Sequence, residues 1–418
     1  MRRRFLENIS LLLILNIIIK AFWVLGIDRT VQNVVGAGEY GFYFSLFSFS
    51  VLFNIVLDFG ITNYNNRRVS QDPGQLSLLL GNLFIIRIGF AVAYMVISLS
   101  VAFAMGYDLR QTGILTILLI NQFLASFILY LRSNITALQL FRTDALLSVT
   151  DRLIMIVTVG LLLFGGVAGS SFRIEWFVWC QTFGYVVTFA IALLVVLGKR
   201  GGAPVIFNRP AIVIILRESA PYALLSLFMA VYWRVDSVML ERMLPDGKVA
   251  AGVYAQAFRL LDAASMIPYL FAVILLPQFT RAMALGEDTV PLEKMALVML
   301  ALPAAAVTLV SVLFSKEIMA LLYIEHVGQS ARLFAILMIS YVPVAVTYIF
   351  STVLTARGTL AQLNIIAGSG MIINVLLNVF LIPSAGAEGA ATASVITQTA
   401  MAALFAFVVI RGRKKTYF

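Results

Sequence analysis

The sequence predicts an all-α polytopic membrane protein, with twelve transmembrane helices in two six-helix lobes related by a parallel internal repeat. Three observations carry that reading. Of 418 residues, 61% are hydrophobic and 12% charged, with a mean hydropathy of +0.98, more apolar surface than a soluble core of this size can hide. Twelve apolar runs are each long enough to cross a bilayer, which takes about 20 residues at about 1.5 Å each. Short motifs also recur in the two halves at a nearly constant offset.

The first helix, near 8–27, follows Met1-Arg2-Arg3-Arg4. Lys20 interrupts it and no small-residue cleavage pattern follows, so it reads as a retained helix rather than a signal peptide. The second, near 41–63, carries Ser50, Asn54, Asp58 and Thr62 four residues apart, on one face. Helices near 77–104, 112–138, 145–165 and 174–197 complete the first half. Cys180, the single cysteine, lies in the last of these, excludes an intramolecular disulfide and reads as a small buried residue. Gly198 to Pro210 is rich in Gly, Pro and basic residues, which places a linker at 201–211 between a lobe at 1–200 and a lobe at 212–418. The second half has helices near 212–241, 250–278, 293–314, 331–355, 360–382 and 387–410. Its longest outer loop is expected at 315–330, where His326 beside Glu325 offers no metal-ligand spacing.

The repeat shows in three matches. Gly41-Phe42-Tyr43 corresponds to Gly252-Val253-Tyr254 at an offset of 211, Gln181-Thr182 to Gln398-Thr399 at 217, and Arg142 to Arg357. Six helices per half is an even number, so the copies are parallel, and binding sites in such folds lie near the midplane at the repeat interface.

Twelve crossings put both termini on one side. The short loops of that side hold seventeen lysines and arginines, among them Arg2, Arg3, Arg4, Arg67, Arg68, Lys199, Arg281 and Lys414; the other side holds Arg29, Arg110, Arg173, Arg242, Lys248 and Lys316. By the positive-inside bias the termini are cytoplasmic. The same asymmetry explains most of the net charge of +10, so no nucleic-acid partner is needed.

Charges at membrane depth are costly and mark polar routes. Lys20 lies about 18 Å into the first helix, Arg87 about 15 Å into the third and Arg152 about 12 Å into the fifth. Arg234 and Asp236 sit in the seventh. Gln256, Arg259, Asp262, Met266 and Tyr269 share one face of the eighth. Each pair, Arg234 with Asp236 and Arg259 with Asp262, could serve simply as an ion pair that pins helices. Arg132 reads as a side chain that snorkels to the headgroups. The sum does not balance, however: Lys20, Arg87, Arg152, Arg234 and Arg259 oppose Asp151, Asp236 and Asp262. A cationic surplus at low dielectric calls for an anion, and a diphosphate suits arginine forks. For Asp58, Asp236 and Asp262, two roles stay open, exchange of a proton or sodium ion and fixed counterion.

Several stretches carry a family resemblance: Val35-Gly36-Ala37-Gly38-Glu39-Tyr40-Gly41-Phe42-Tyr43, Leu57-Asp58-Phe59-Gly60-Ile61, Trp233-Arg234-Val235-Asp236-Ser237-Val238-Met239-Leu240, Asn374 with Asn378, and Gly386-Ala387-Glu388-Gly389. Together they resemble bacterial polysaccharide flippases of the Wzx type, in the multidrug/oligosaccharidyl-lipid/polysaccharide (MOP) exporter superfamily. The resemblance implies a non-enzymatic transporter of the bacterial cytoplasmic (inner) membrane. It would carry undecaprenyl-diphosphate-linked oligosaccharide to the outer leaflet for O-antigen, capsule or exopolysaccharide assembly. It would work by alternating access, with a polysaccharide polymerase and a chain-length regulator as neighbours. On that expectation Lys20, Arg234 and Arg259 hold the diphosphate while Arg87 and Arg152 guide entry. No cofactor or metal is expected, and no G-x-x-x-x-G-K-[ST] loop suggests nucleotide fuel.

The alternatives are a multidrug cation exporter, which should offer an acidic cavity, and a lipid-II flippase, which usually carries two further C-terminal helices. A membrane enzyme of envelope polysaccharide assembly is the remaining class, with Glu317, Glu325 and His326 as its sole outer-loop candidates for acid–base work.

Overall fold

The computed structural model describes residues 15–413, apart from 17, 63–64, 66–68, 70–73, 75, 166–171 and 200–208. Arg2, Arg3, Arg4, Arg67, Arg68, Lys414, the start of the expected first helix and most of the expected 201–211 linker lie outside the described residues. Among the described residues all regular structure is helical. Nine helices among the described residues are long and apolar enough to cross a membrane. The last of these, 53 residues long, is two crossings, because Gly386 (φ 56°, ψ −134°) breaks it in a region that only glycine adopts cheaply.

We number the crossing helices α1 (residues 18–35), α2 (37–52), α3 (Leu76–Ala104), α4 (Leu109–Ala137), α5 (Phe141–Phe164), α6 (Ile174–Leu197), α7 (Arg209–Met243), α8 (Gly247–Ala284), α9 (Val290–Leu313), α10 (Val327–Ala356), α11 (360–385) and α12 (387–413). α1 contains a π-helical stretch, Trp23–Asp28. It runs past its expected end at 27 to Gly36, whose φ of 80° and ψ of 165° separate it from α2. Arg29, expected in an outer loop, is therefore helical. α2 loses its regular turn at Phe53, resumes over Ile55–Asp58 and stops at Phe59 and Gly60, both with positive φ.

Local chemistry sets the other ends. Asp108 accepts the Gln111 backbone N–H at 2.7 Å, and the Gln111 side chain accepts the Asp108 N–H at 2.9 Å. This reciprocal cap starts α4 and is worth about 1 kcal/mol. The expected outer loop at 315–330 is mostly helix instead, Ser315–Leu322 followed by α10, because its apolar residues have helical spacing; four residues, 323–326, remain as connection.

The packing divides the chain into two compact units. One comprises Met1–Val35 with Leu46–Leu227, the other Gly36–Ser45 with Phe228–Phe418. The boundary near residue 227 lies inside α7 rather than at 201–211, because α7 is continuous across it. In the first unit α4 is central, packed on α5 and α6; in the second α10 is central, packed on α8, α9 and the α11–α12 pair. Of their most apolar stretches 67% and 61% is buried, against 17–33% for the other spans. The fourth helix of each half is thus the one enclosed by protein, as an internal repeat requires, while side chains such as Leu161, Leu302 and Phe380 on the others face outward. Gln181 and Gln398, equivalent in the repeat, are both buried. Cys180 is half-buried rather than fully enclosed.

Candidate functional site

In the first unit, a cavity of about 180 Å³ is lined by Lys20 of α1, Arg132 of α4, Ser148, Asp151 and Arg152 of α5, and Tyr185 of α6. Apolar side chains Ala125, Ile128, Leu129 and Leu147 complete it. Three cations face one carboxylate. The Arg152 guanidinium carbon lies 5.3 Å from the Trp23 ring centre and 5.9 Å from that of Tyr185, and Trp23 stacks on Phe177 at 5.7 Å. Such faces hold a cation without neutralising it. Arg132 is braced by the Asp144 carboxylate through Nε at 2.7 Å and Nη2 at 3.2 Å. This bidentate fork fixes the arginine's plane. Asn16 donates to Ser148 at 2.8 Å, which ties the chain just ahead of α1 to α5 beside Lys20.

In the second unit, α7 and α8 bring together an aromatic box with two arginines. Arg234 donates through Nη2 to Asp262 at 3.2 Å and lies 5.4 Å from the Phe258 ring centre. Asp262 also accepts Trp233 Nε1 at 3.1 Å. Arg259 donates through Nε to the Tyr40 hydroxyl at 3.2 Å and lies 5.1 Å from the Phe44 ring centre. Tyr40 and Phe44 come from the first turns of α2, which belong to this unit.

Asp236, one helical turn beyond the box, occupies a separate polar pocket and is 2% exposed. Its carboxylate accepts the Tyr254 hydroxyl at 2.7 Å, Asn378 Nδ2 at 2.6 Å and the Ser394 hydroxyl. Asn378 Nδ2 also reaches Asn374 Oδ1 at 3.2 Å. Among the described residues no lysine or arginine forms an ion pair with Asp236. Asn378 Oδ1 and Asn374 Nδ2 are buried with no hydrogen-bond partner. Buried polar atoms left over in such a cluster mark a place that a small ion, a proton or a water can complete.

Arg87 is 1% exposed. It pairs with Asp58, donates to Thr62 Oγ1 at 2.6 Å and to Ser126 O and Oγ at 3.2 Å, and lies 4.6 Å from the Tyr130 ring centre. It lines neither cluster. The polar face continuing from α2 is engaged in part in the same way: Asn54 Nδ2 donates to Gln122 Oε1 at 3.3 Å, and Asp58 pairs with Arg87.

A family model described as polysaccharide biosynthesis protein matches residues 5–283, well over half of the chain. The chain belongs to that family. A comparison with curated proteins found no match. Solved structures give the fold. An inward-facing multidrug resistance MATE family transporter of the MOP superfamily matches with a TM-score of 0.72 at 15% identity, over 93% of this chain and 94% of its own. The lipid II flippase MurJ in an inward closed conformation matches with 0.69 at 13% identity, over 94% and 86%. A MOP superfamily transporter from Pyrococcus furiosus, described as having a binding pocket whose reverse polarity suggests a different function, matches with 0.61 at 16% identity, over 97% and 92%. The fold is therefore that of the MOP superfamily transporters.

Of the residues singled out from the sequence of this polysaccharide biosynthesis protein, the structure groups Lys20 with Arg152, and Arg234 with Arg259 and Asp262. It sets the buried Arg87 against the partly exposed Asp58, and Asp236 in its own pocket. The two ion pairs read along the chain do not form as such: Asp262 takes Arg234 from the neighbouring helix rather than Arg259. Arg132, expected to snorkel, lines the first cavity instead, because Asp144 twelve residues on holds it there. Tyr40, Phe44 and Trp23 were not foreseen. An aromatic in an apolar run gives no sign of being a cation's platform.

Proposed function

We propose that this polysaccharide biosynthesis protein is a flippase for polyprenyl-diphosphate-linked oligosaccharides in the bacterial cytoplasmic membrane, supplying O-antigen, capsule or exopolysaccharide assembly by alternating access. The observation that carries the reading is the first-unit cavity, where three cations, Lys20, Arg132 and Arg152, outnumber the carboxylates of Asp151 and, behind Arg132, Asp144. Such a cavity disfavours a cationic drug and attracts a phosphate. The cost of moving the lipid unaided lies in its polar groups, each worth several kcal/mol in hydrocarbon. A wet, cationic lining offsets that cost while the prenyl tail stays in lipid. Lys20, Arg132 and Arg152 supply the cations of the first unit, and Arg234 with Arg259 those of the second. Arg87 stays out of the path, since its Nη1 and Nη2 groups are taken up by Ser126, Asp58 and Thr62 and its side chain is 1% exposed. Asp236 is the coupling residue of this scheme, exchanging a proton or sodium ion, because among the described residues it has neutral donors and no paired cation. Polymerase and chain-length regulator would receive the product outside the membrane.

The fold match to a multidrug transporter keeps cation export as the second reading. Flipping of a labelled undecaprenyl-diphosphate oligosaccharide in proteoliposomes separates the two. Wild type should flip it, and Arg152→Ala and Arg259→Ala, each monodisperse and folded, should lose about tenfold or more, the worth of one charge-assisted hydrogen bond at low dielectric. Expulsion of a cationic dye without lipid transport would install the second reading. In the same vesicles, a rate indifferent to both proton and sodium gradients would remove the coupling role of Asp236.

A further inference from the structure

α2 is shared: residues 36–45 belong to the second unit and the rest of the helix to the first. What holds the first part is a clamp built from α8 and the connection before α10. Glu325 accepts the Ala37 N–H at 2.9 Å, closing the N-terminus of α2. Gly41 and Gly252 meet backbone to backbone; a Cβ on Gly41 would stand 1.9 Å from the Lys248 carbonyl, and one on Gly252 1.9 Å from that of Ala37. Lys248 Nζ lies 4.9 Å from the Phe42 ring centre, and Phe44 packs on Phe258 at 6.2 Å. The last element is Arg259, on Tyr40 and Phe44. Arg259 thus belongs both to this clamp and to the arginine pair assigned to the phosphate.

We propose that Arg259 couples cargo to the clamp, so that a phosphate bound at its guanidinium displaces the Tyr40 hydroxyl and the Phe44 ring and releases residues 36–45 from α8. This rests on the diphosphate reading. The competition is for the same atoms. A phosphate prefers two parallel N–H groups of the guanidinium fork, and the Nε edge is the one now given to Tyr40. A phosphate adds ion-pair attraction and a second parallel acceptor that the neutral Tyr40 hydroxyl lacks, so the anion wins the edge. A ligand moves a conformational equilibrium only through its different affinity for the two states, and this exchange of partners supplies the difference. Glu325 and the Gly41–Gly252 contact set the strength that the exchange must overcome.

Gly38 and Val249 flank the clamp, the Val249 Cγ2 lying 3.7 Å from where a Gly38 Cβ would stand. With Cys180→Ser as background, Gly38→Cys with Val249→Cys reports closure through a short bis-maleimide. In nanodiscs, undecaprenyl diphosphate should slow cross-linking about fivefold, and undecaprenol should leave it unchanged. Tyr40→Phe should slow it about fivefold without lipid, the effect of one lost hydrogen bond to a charged group. Arg259→Gln should abolish the lipid response. Binding of undecaprenyl diphosphate is followed separately by tryptophan fluorescence. If the lipid binds and cross-linking does not change, the coupling is wrong and the flippase reading stands. If the lipid does not bind at all, both fall.

Discussion

Arg87 and Asp58 show how a charge at membrane depth can be structural. The arginine is 1% exposed and the aspartate 30%, and a buried charge that loses its partner is left uncompensated, at about 3 kcal/mol. Asp58→Asn should therefore lower the melting temperature of the purified protein markedly. Replacing both, as Asp58→Leu with Arg87→Met, should recover most of it, with flipping per folded molecule unchanged. A double variant that folds well yet has lost flipping would return Arg87 to the path. At this scale the sequence was legible in kind but not in partnership. That Lys20, Arg152, Arg234 and Arg259 sit deep follows from their positions in apolar runs. Their partners are another matter, since Asp262 is 28 residues from Arg234, Tyr40 is 219 from Arg259 and Ser394 is 158 from Asp236. Pairings across helices depend on packing that no spacing rule encodes.

Among the elements, the α2–α8 crossing is the most constrained. Its glycines are the two equivalents first seen as a repeat, Gly41 and Gly252, and in the structure they touch. A methyl group at either would stand 1.9 Å from a carbonyl oxygen, so the backbones must separate. Gly252→Ala should thus leave the helices formed but weaken closure, and the 38–249 cross-link should slow more than it does in Tyr40→Phe. Equal cross-linking in Gly252→Ala and its parent would show that the contact bears no load. Element boundaries were readable wherever an apolar run stopped at a cap, as at Asp108 before α4. They were missed where a helix continues through polar residues: α1 passes Asp28 and Arg29, and α2 starts at Ala37 rather than at Gly41. Hydropathy marks the lipid-facing length of a helix and is blind to a helical turn that protein encloses.

For the whole molecule, twelve crossings were legible because a bilayer demands length and apolarity from every one of them. The orientation expected from loop charge is a proposal with a direct test. With Cys180→Ser, a membrane-impermeant maleimide applied to intact cells should label Lys316→Cys and spare Glu287→Cys until the cells are opened; the reverse pattern would invert the topology and the direction of transport with it. The division into two units was less legible, because a change of composition marks where a linker lies and not where the packing divides. Ten residues encoded in the first half, 36–45, pack with the second.

Those ten residues bear on how the chain can be cut. Halves expressed separately at the 201–211 break would not be self-sufficient. The C-terminal fragment would lack the strip that covers Gly252, Phe258 and Arg259, and the N-terminal fragment would carry that strip with nothing to seat it. Such a molecule resembles a partial domain exchange within one polypeptide, in which a strip of the first half finishes the second. Once the two copies were fused and the strip had been handed over, neither could be replaced by an unrelated six-helix module without losing its complement.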